Sequence, residues 1–207
     1  MIRIIIKRFE QNYGEVIDEM QMLNAVNIAH KLIHHCVIQA NHLVDATAGN
    51  GNDTIYFMQN SPDTAKIYAF DVQKEALQHT DQKLQSINKG EKVKLILDSH
   101  ANMDKYISDE IDAAIFNLGY LPGGNHEITT TAESTLQAVQ VSIRLLRVGG
   151  VIAITAYPGH ENGSREYRSL IDFLTKLPVR NYTVGCWSMM NHADTAPVVY
   201  LIEKVRS

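Results

Sequence analysis

The stretch Leu43–Thr54, LVDATAGNGNDT, decides the fold of this 207-residue chain. A short apolar run ends at an acid, Asp45, and is followed by Gly49 and Gly51 and then by a helical pattern. Glycines one residue apart let the backbone turn tightly and approach a ligand closely. The stretch therefore predicts a strand, a turn and a helix start, the arrangement in which open α/β sheets bind nucleotide-like cofactors.

The composition predicts one globular domain spanning residues 1–207, in which 1–20 form an extension of unassigned role. The hydrophobic fraction is 45%, the charged fraction is 20% and the net charge is −4. Such a charge argues against a broad basic face for nucleic acid. Cys36 and Cys186 have neither a disulfide pattern nor metal-ligand spacing, so we expect reduced thiols in a cytoplasmic protein without a metal site. No apolar run reaches membrane-spanning length, and no membrane association is expected.

Apolar runs alternate with helical patterns along most of the chain. Strand patterns fall at Leu43–Thr47, Lys66–Asp71, Val93–Asp98, Ile111–Asn117 and Val151–Tyr157. Helical patterns fall at Met22–Val37, Asp53–Gln59, Lys74–Ile87, Ala132–Leu146 and Ser164–Leu177. This alternation predicts βαβ units and a parallel sheet with helices on both faces.

The C-terminal part of the chain has a different pattern. Tyr182–Met189 and Val198–Lys204 are strand patterns with no helix between them, which predicts an antiparallel hairpin at the sheet edge. The whole chain thus predicts a Rossmann-like α/β fold: a doubly wound, mostly parallel, seven-stranded sheet. We expect Gly149 and Gly150 to end the helix that precedes the fifth strand.

Three acids, Asp45, Asp71 and Asp98, end three successive strand patterns. The carboxyl ends of parallel strands share one edge, so these acids are expected to converge on one crevice. Asp71 holds the position of the acid that binds ribose hydroxyls in dinucleotide folds. A nicotinamide fingerprint would need a third glycine, and Asp53 at the helix start would repel a pyrophosphate. A cofactor without phosphates, such as S-adenosylmethionine, fits better.

The candidate cofactor residues are the glycine turn and the residues that end or follow the first four strands. Turn amides suit the cofactor carboxylate, Asp45 or Asp53 suits its ammonium, Asp71 its ribose and Asp98 its adenine amino group. The full set is Asp45, Gly49, Asn50, Gly51, Asp53, Thr54, Asp71, Val72, Gln73, Asp98, Ser99, His100 and Asn117.

The candidate reacting centre follows the fourth strand, where residues 117–124 read NLGYLPGG. The first and fourth strands flank the switch point of a doubly wound sheet, so Asn117 should face the cofactor. The segment is similar to the Asn-Pro-Pro-Tyr motif of methyltransferases that act on amino nitrogens. The Asn117 side-chain oxygen and the Leu118 carbonyl could accept amine hydrogens, and Tyr120 could stack on a base or cover the sulfonium. We therefore assign Asn117, Leu118 and Tyr120 as catalytic candidates.

Two flanking segments are candidates for the rest of the substrate pocket. One is the polar stretch after the fourth strand, which leads into a helix that a threonine at 129–131 should cap. The other lies directly after the fifth strand, at the same sheet edge. The candidate substrate residues are Tyr120, Pro122, Gly123, His126, Tyr157 and His160.

Asp45–Thr54 together with Asn117–Gly123 resembles the MnmM (YtqB-like) methyltransferases, long labelled rRNA methylases. The resemblance extends from about Leu23 to the C-terminal hairpin. It implies a class I S-adenosylmethionine-dependent enzyme that acts on the anticodon loop of tRNA. The implied reaction converts 5-aminomethyl-uridine at the wobble position to 5-methylaminomethyl-uridine. An anticodon loop can be bound by base stacking and a few phosphate contacts, which agrees with the modest charge.

Three alternatives stay open at this stage. The chain could methylate rRNA or a small-molecule amine, it could be a nicotinamide-dependent oxidoreductase, or it could bind RNA without catalysis. The missing third glycine disfavours the oxidoreductase, and Asn117 and Tyr120 disfavour the non-catalytic protein. Apolar strand edges are compatible with a homodimer.

Overall fold

The computed structural model describes residues 24–87, 90–119, 130–159 and 161–207. Within these ranges a seven-stranded sheet is flanked by helices. The strands are β1 (His42–Asp45), β2 (Lys66–Asp71), β3 (Val93–Leu97), β4 (Ile111–Asn117), β5 (Leu146–Ala156), β6 (Tyr182–Trp187) and β7 (Val198–Lys204). The helices are α1 (Ala25–Val37), α2 (Asn52–Asn60), α3 (Lys74–Ser86), α4 (Ala132–Leu145) and α5 (Glu161–Leu174), with 3₁₀ turns at Gly90–Lys92 and His100–Lys105.

The strand order is β3-β2-β1-β4-β5-β7-β6. The first five strands in this order are parallel to one another, whereas β7 is antiparallel to both β5 and β6. This topology confirms the predicted doubly wound, mostly parallel sheet with a C-terminal antiparallel hairpin. It also places β1 beside β4, as the sequence predicts. None of the described helices is long and apolar enough to cross a membrane.

Two apolar cores cover the two faces of the sheet. Alternate residues of β4 belong to different cores: Ala113 and Ile115 pack in the core that contains α1, whereas Ala114 and Phe116 pack in the core that contains α4 and α5. All four residues are at most 2% exposed. Burial on both faces explains why residues 113–116 of β4 are continuously apolar and do not alternate with polar residues.

The expectation for Gly149 and Gly150 is wrong. Helix α4 ends at Leu145, and both glycines lie inside β5, which begins at Leu146. The β4–β5 register shifts here, so the extra residues bulge out of the ladder. Gly149 has φ +76, and a Cβ on Gly150 would lie 3.0 Å from the Asp112 carbonyl oxygen. The glycines therefore serve the bulge and not a helix end.

Other predicted boundaries shift by a few residues. Helix α5 spans Glu161–Leu174, three residues earlier at each end than predicted, and β6 ends at Trp187, before the predicted Met189. Thr131 caps α4 by accepting a hydrogen bond from the Ser134 N–H, which confirms one of the three threonine candidates. The predicted extension 1–20 lies outside the described residues.

Asp112 clamps the amino-terminal edge of the sheet. One carboxylate oxygen accepts the N–H groups of Asn41 and His42 at 2.7 and 2.9 Å, and the other accepts the Arg147 guanidinium. The side chain is buried. Burial alone would raise the pKa of Asp112, but these N–H groups and the Arg147 charge outweigh it and hold the pKa below its usual range.

We expect Asp112→Ala to lower the free energy of unfolding by about 3–5 kcal/mol, because it leaves the Arg147 charge and two N–H groups without their buried acceptor. Urea unfolding followed by circular dichroism would measure this. Asp109→Ala is the control, since Asp109 is exposed and its nearest oxygen lies 3.7 Å from the His42 ring. The control should change stability by less than about 1 kcal/mol. Equal losses of stability in Asp112→Ala and Asp109→Ala would contradict this role of Asp112.

Candidate active site

The predicted acids and the predicted acceptor motif lie at one edge of the sheet. Asp45, Asp71 and Asn117 are the last residues of β1, β2 and β4, and Asp98 directly follows β3. These four strands are neighbours and run parallel. The carboxyl edge of the sheet at the β1–β4 switch point is therefore the candidate site.

The glycine turn after β1 has the conformation that its sequence indicates. Gly49 and Gly51 both have positive φ, +50 and +77. The Gly51 N–H donates to the Ala48 carbonyl at 2.7 Å. A Cβ on Gly51 would lie 2.7 Å from the Thr80 hydroxyl oxygen, so no other residue fits without displacing α3.

Asp71 joins this turn to the second strand. One carboxylate oxygen accepts the Gly49 N–H at 2.9 Å, and the other accepts the Gln73 N–H at 2.8 Å. The residue is partly exposed, and Val72 beside it is 59% exposed. Each carboxylate oxygen has a second lone pair, so Asp71 can still accept hydroxyl groups from a ribose.

Asp98 is held in place by its own local network. One oxygen accepts the Ser99 N–H and the Asn102 amide, at 2.7 and 2.8 Å, and the other accepts the Tyr106 hydroxyl at 2.9 Å. The hydrogen bonds from Asn102 and Tyr106 lower the pKa of Asp98 below its usual value. Asp98 is thus ionised. Its three hydrogen-bond donors fix the orientation of the carboxylate and occupy most of its lone pairs.

His100 contacts the backbone that leads from β1 into the glycine turn. The residue is 8% exposed, and its Nδ1 lies 2.9 Å from the Ala46 carbonyl oxygen, to which it donates. Burial lowers the pKa of His100, so the ring is neutral at pH 7. The contact fixes the backbone between β1 and the glycine turn.

Asp45 lies inside the site and braces the turn. It is fully buried, and its two oxygens accept the Thr47 N–H and the Thr54 hydroxyl. Burial, reinforced by the negative charge of Asp53, raises the pKa of Asp45 to about 8. Of the two acids assigned to the cofactor ammonium, Asp53 is the one with exposed surface, at 5%.

The raised pKa of Asp45 has a consequence for stability. The folded state holds its proton up to about pH 8, whereas the unfolded chain releases it near pH 3.8. The contribution of the group to stability is therefore complete below about pH 4 and is lost as the pH rises toward 8. We expect the wild type to lose more thermal stability than Asp45→Asn between pH 5 and pH 8, in melts followed by calorimetry. If the melting temperatures of the wild type and Asp45→Asn changed equally with pH, a buried, protonated Asp45 would be contradicted.

His30 of α1 is a site residue that sequence reasoning missed. Its Nε2 lies 2.6 Å from the Asp53 carboxylate, and its ring stacks on Tyr56 with centroids 3.8 Å apart. The Tyr56 hydroxyl donates to the His30 carbonyl. Twenty-three residues separate His30 from Asp53, and a helical pattern alone does not say which neighbour a helix face meets.

Thr47 links the cofactor turn to the acceptor motif. Its N–H donates to Asp45, and its hydroxyl oxygen accepts the Asn117 N–H at 2.7 Å. Among the described residues, the Asn117 side-chain amide has no hydrogen-bond partner. Leu118 is buried and its N–H donates to the Thr155 carbonyl, so its own carbonyl is the group that could serve an amine. The motif is rigidly anchored at its start.

Tyr157 completes the described part of the pocket. It follows β5 and is partly buried; burial, together with the negative charge of Asp53, raises the pKa of its phenol. The remaining predicted substrate residues lie outside the described residues; they are Tyr120, Pro122, Gly123, His126 and His160.

The groups at this edge fit S-adenosylmethionine. Asp71 suits ribose hydroxyls, and the Asp53 carboxylate suits an ammonium. Val72 and Leu97, which are 59% and 55% exposed, offer apolar surface beside Asp98, as a purine ring requires. Among the described residues, His, Cys, Asp and Glu side chains form no cluster of three that could hold a metal ion.

Comparisons with known proteins identify the family of this chain. Residues 67–203 match the family model described as “Putative rRNA methylase”. A chloroplastic tRNA (mnm(5)s(2)U34)-methyltransferase from Arabidopsis thaliana is 32% identical over 190 residues, covering 87% of this chain and 69% of that protein.

Two solved structures have the same fold at higher identity. A “putative rRNA-methylase” from Clostridium thermocellum is 37% identical, with a TM-score of 0.86, and the match covers 88% of this chain and 98% of that one. A “putative methyltransferase” from Streptococcus mutans, solved in complex with SAH, is 34% identical, with a TM-score of 0.80 and coverages of 88% and 99%.

Proposed function

This chain belongs to the “Putative rRNA methylase” family, and from that premise we propose that it is an S-adenosylmethionine-dependent tRNA methyltransferase. Its reaction converts 5-aminomethyl-uridine at the wobble position to 5-methylaminomethyl-uridine. The resemblance to the MnmM (YtqB-like) methyltransferases is confirmed by the family match and by the Arabidopsis thaliana relative. The observation that carries the proposal is the Asn117–Gly119 motif beside the glycine turn, joined to it through Thr47.

When bound, S-adenosylmethionine supplies a methyl group on a sulfonium, which a neutral amine can attack. The Asp71 carboxylate and the Gly49–Gly51 turn would hold its ribose and amino-acid ends, with Asp53 facing the ammonium. His30 donates to Asp53 and stacks on Tyr56, so the Asp53 carboxylate cannot rotate freely. The protein thus contributes fixed carboxylate charges to the cofactor half of the site.

The amine half of the site is assigned to Asn117 and Leu118. Their side-chain and main-chain oxygens would accept the two amine hydrogens and so direct the nitrogen lone pair toward the methyl group. Thr47 anchors Asn117 through its N–H, so the acceptor cannot drift away from the cofactor turn. Most of the rate enhancement would come from this positioning.

Nucleoside mass spectrometry of total tRNA tests the proposal, in cells that carry this gene and in cells that lack it. We expect 5-methylaminomethyl-uridine to disappear and 5-aminomethyl-uridine to accumulate without the gene. The family description also mentions rRNA, so rRNA nucleosides are measured in the same samples. Loss of a methylated rRNA nucleoside with unchanged tRNA would contradict the proposal.

We also propose the tRNA element that is bound, the compartment and the oligomeric state. The tRNA element bound is the anticodon stem-loop, since the wobble base lies there, and the compartment is the cytoplasm, which suits the free cysteines Cys36 and Cys186. A homodimer is supported by the edge strand β6, of which Val184 is 36% exposed. Sedimentation with and without tRNA would test the oligomeric state.

A further inference from the structure

A buried carboxylate on α5 lies outside the cofactor half of the site. Glu166 is only 4% exposed, and its two oxygens accept the hydroxyl groups of Thr135 and Thr130. Burial raises the pKa of Glu166 above its usual value, although the two hydrogen bonds act to lower it. Apolar residues of the same volume often stabilise a buried position as well as a charged group does, so stability alone does not account for a carboxylate here. Its contacts therefore call for another explanation.

Thr130 connects this carboxylate to the acceptor motif. Its hydroxyl donates to Glu166 at 3.0 Å and accepts the Gly119 N–H at 3.0 Å. The Thr130 N–H donates to the Gly119 carbonyl at 3.2 Å. A hydroxyl has one hydrogen, so giving it to Glu166 leaves the oxygen lone pairs facing Gly119. Glu166 thus fixes the direction of the whole chain of hydrogen bonds.

Gly119 connects these hydrogen bonds to the acceptor motif. It has φ +124, which other residues rarely adopt, and it lies two residues after Asn117. Asn117 is held by Thr47, which follows β1, whereas Gly119 is held by Thr130, which precedes α4 and donates to Glu166 of α5. The two anchors together fix both ends of the segment that is assigned to the amine.

We propose that Glu166 is a positioning residue for methyl transfer: through Thr130 it fixes the Gly119 peptide and so the geometry of the Asn117–Gly119 acceptor motif. This inference rests on the proposed function. The cofactor residues at the ends of β1 and β2 do not contact this chain of hydrogen bonds. Loss of the hydrogen bonds from Glu166 through Thr130 to Gly119 is therefore expected to lower kcat and to leave cofactor affinity unchanged.

The test compares four variants of the full chain on tRNA that carries 5-aminomethyl-uridine. Thr130→Val removes the hydroxyl and Glu166→Met removes the acceptor; each should lower kcat about 10- to 100-fold. Thr130→Ser keeps the hydroxyl and should restore kcat to within about threefold of the wild type. Thr135→Val is the matched control: it removes the other hydroxyl on Glu166, lowers thermal stability and leaves kcat within about twofold. SAH binding should be unchanged in all four.

A second measurement separates this inference from the proposed function. The Gly119 amide should exchange with solvent slowly in the wild type and in Thr135→Val, and at least about tenfold faster in Thr130→Val and Glu166→Met. A wild type that does not methylate the tRNA contradicts the proposed function, and the exchange rates still decide the anchor. An unchanged Gly119 exchange rate, or wild-type kcat in Thr130→Val, would overturn the inference.

Discussion

Asn117→Ala should lower kcat about 100- to 1000-fold while SAH affinity stays within about twofold of the wild type. The Asn117 amide has no other hydrogen-bond partner among the described residues, so its removal takes an acceptor from the amine and breaks none of the described hydrogen bonds. The N–H that holds the strand end to Thr47 is main-chain and is unaffected. Single-turnover methylation of tRNA measures kcat, and calorimetry measures SAH binding.

A second substitution at the same position refines this prediction. Asn117→Asp keeps an oxygen acceptor of the same length, so it should retain more activity than Asn117→Ala. The difference separates loss of the acceptor from a general disturbance of the end of β4. If Asn117→Ala kept full turnover, or if both variants lost SAH binding, the assignment of Asn117 to the amine would be wrong.

Asp71→Ala should weaken SAH binding about 10- to 150-fold, the equivalent of about 1.5–3 kcal/mol for hydrogen bonds to a charged group. The carboxylate also holds the Gly49 and Gln73 N–H groups, so its loss loosens the turn as well as the ribose contacts. Titration calorimetry with SAH is the measurement.

Two variants serve as comparisons for Asp71→Ala. Asp71→Asn keeps one oxygen acceptor and should lose less affinity. Asp81→Ala removes an exposed acid on α3 that accepts from Gln85, and it should bind SAH as the wild type does. Unchanged binding in Asp71→Ala would show that the acid at the end of β2 does not hold the cofactor.

The sequence was sufficient to predict the sheet because burial on both faces leaves a strong signal. The parallel strands β1, β2 and β4 are mostly apolar and end in a polar residue, and the shared strand direction brings those polar residues to one edge. The sequence alone therefore predicted that the glycine turn and Asn117 lie at the same edge, without information on side-chain contacts. The C-terminal hairpin was equally clear, since no helix separates β6 from β7.

The missed features depend on contacts between distant parts of the chain. The early start of β5 needs the bulge beside Asp112, and the glycine pair there looks like a helix end when read alone. His30 reaches Asp53 only because α1 packs beside α2, which no local pattern encodes. Glu166 resembled any polar residue of an exposed helix, because the two threonines that bury it lie more than thirty residues away.

The most direct test of the central claim uses the purified protein, S-adenosylmethionine and tRNA whose wobble base is 5-aminomethyl-uridine. Digestion to nucleosides and mass spectrometry then shows where the methyl group goes. We expect 5-aminomethyl-uridine to become 5-methylaminomethyl-uridine, and Asn117→Ala to leave it unconverted. Unchanged 5-aminomethyl-uridine after incubation with wild-type protein that binds SAH would contradict the proposed function.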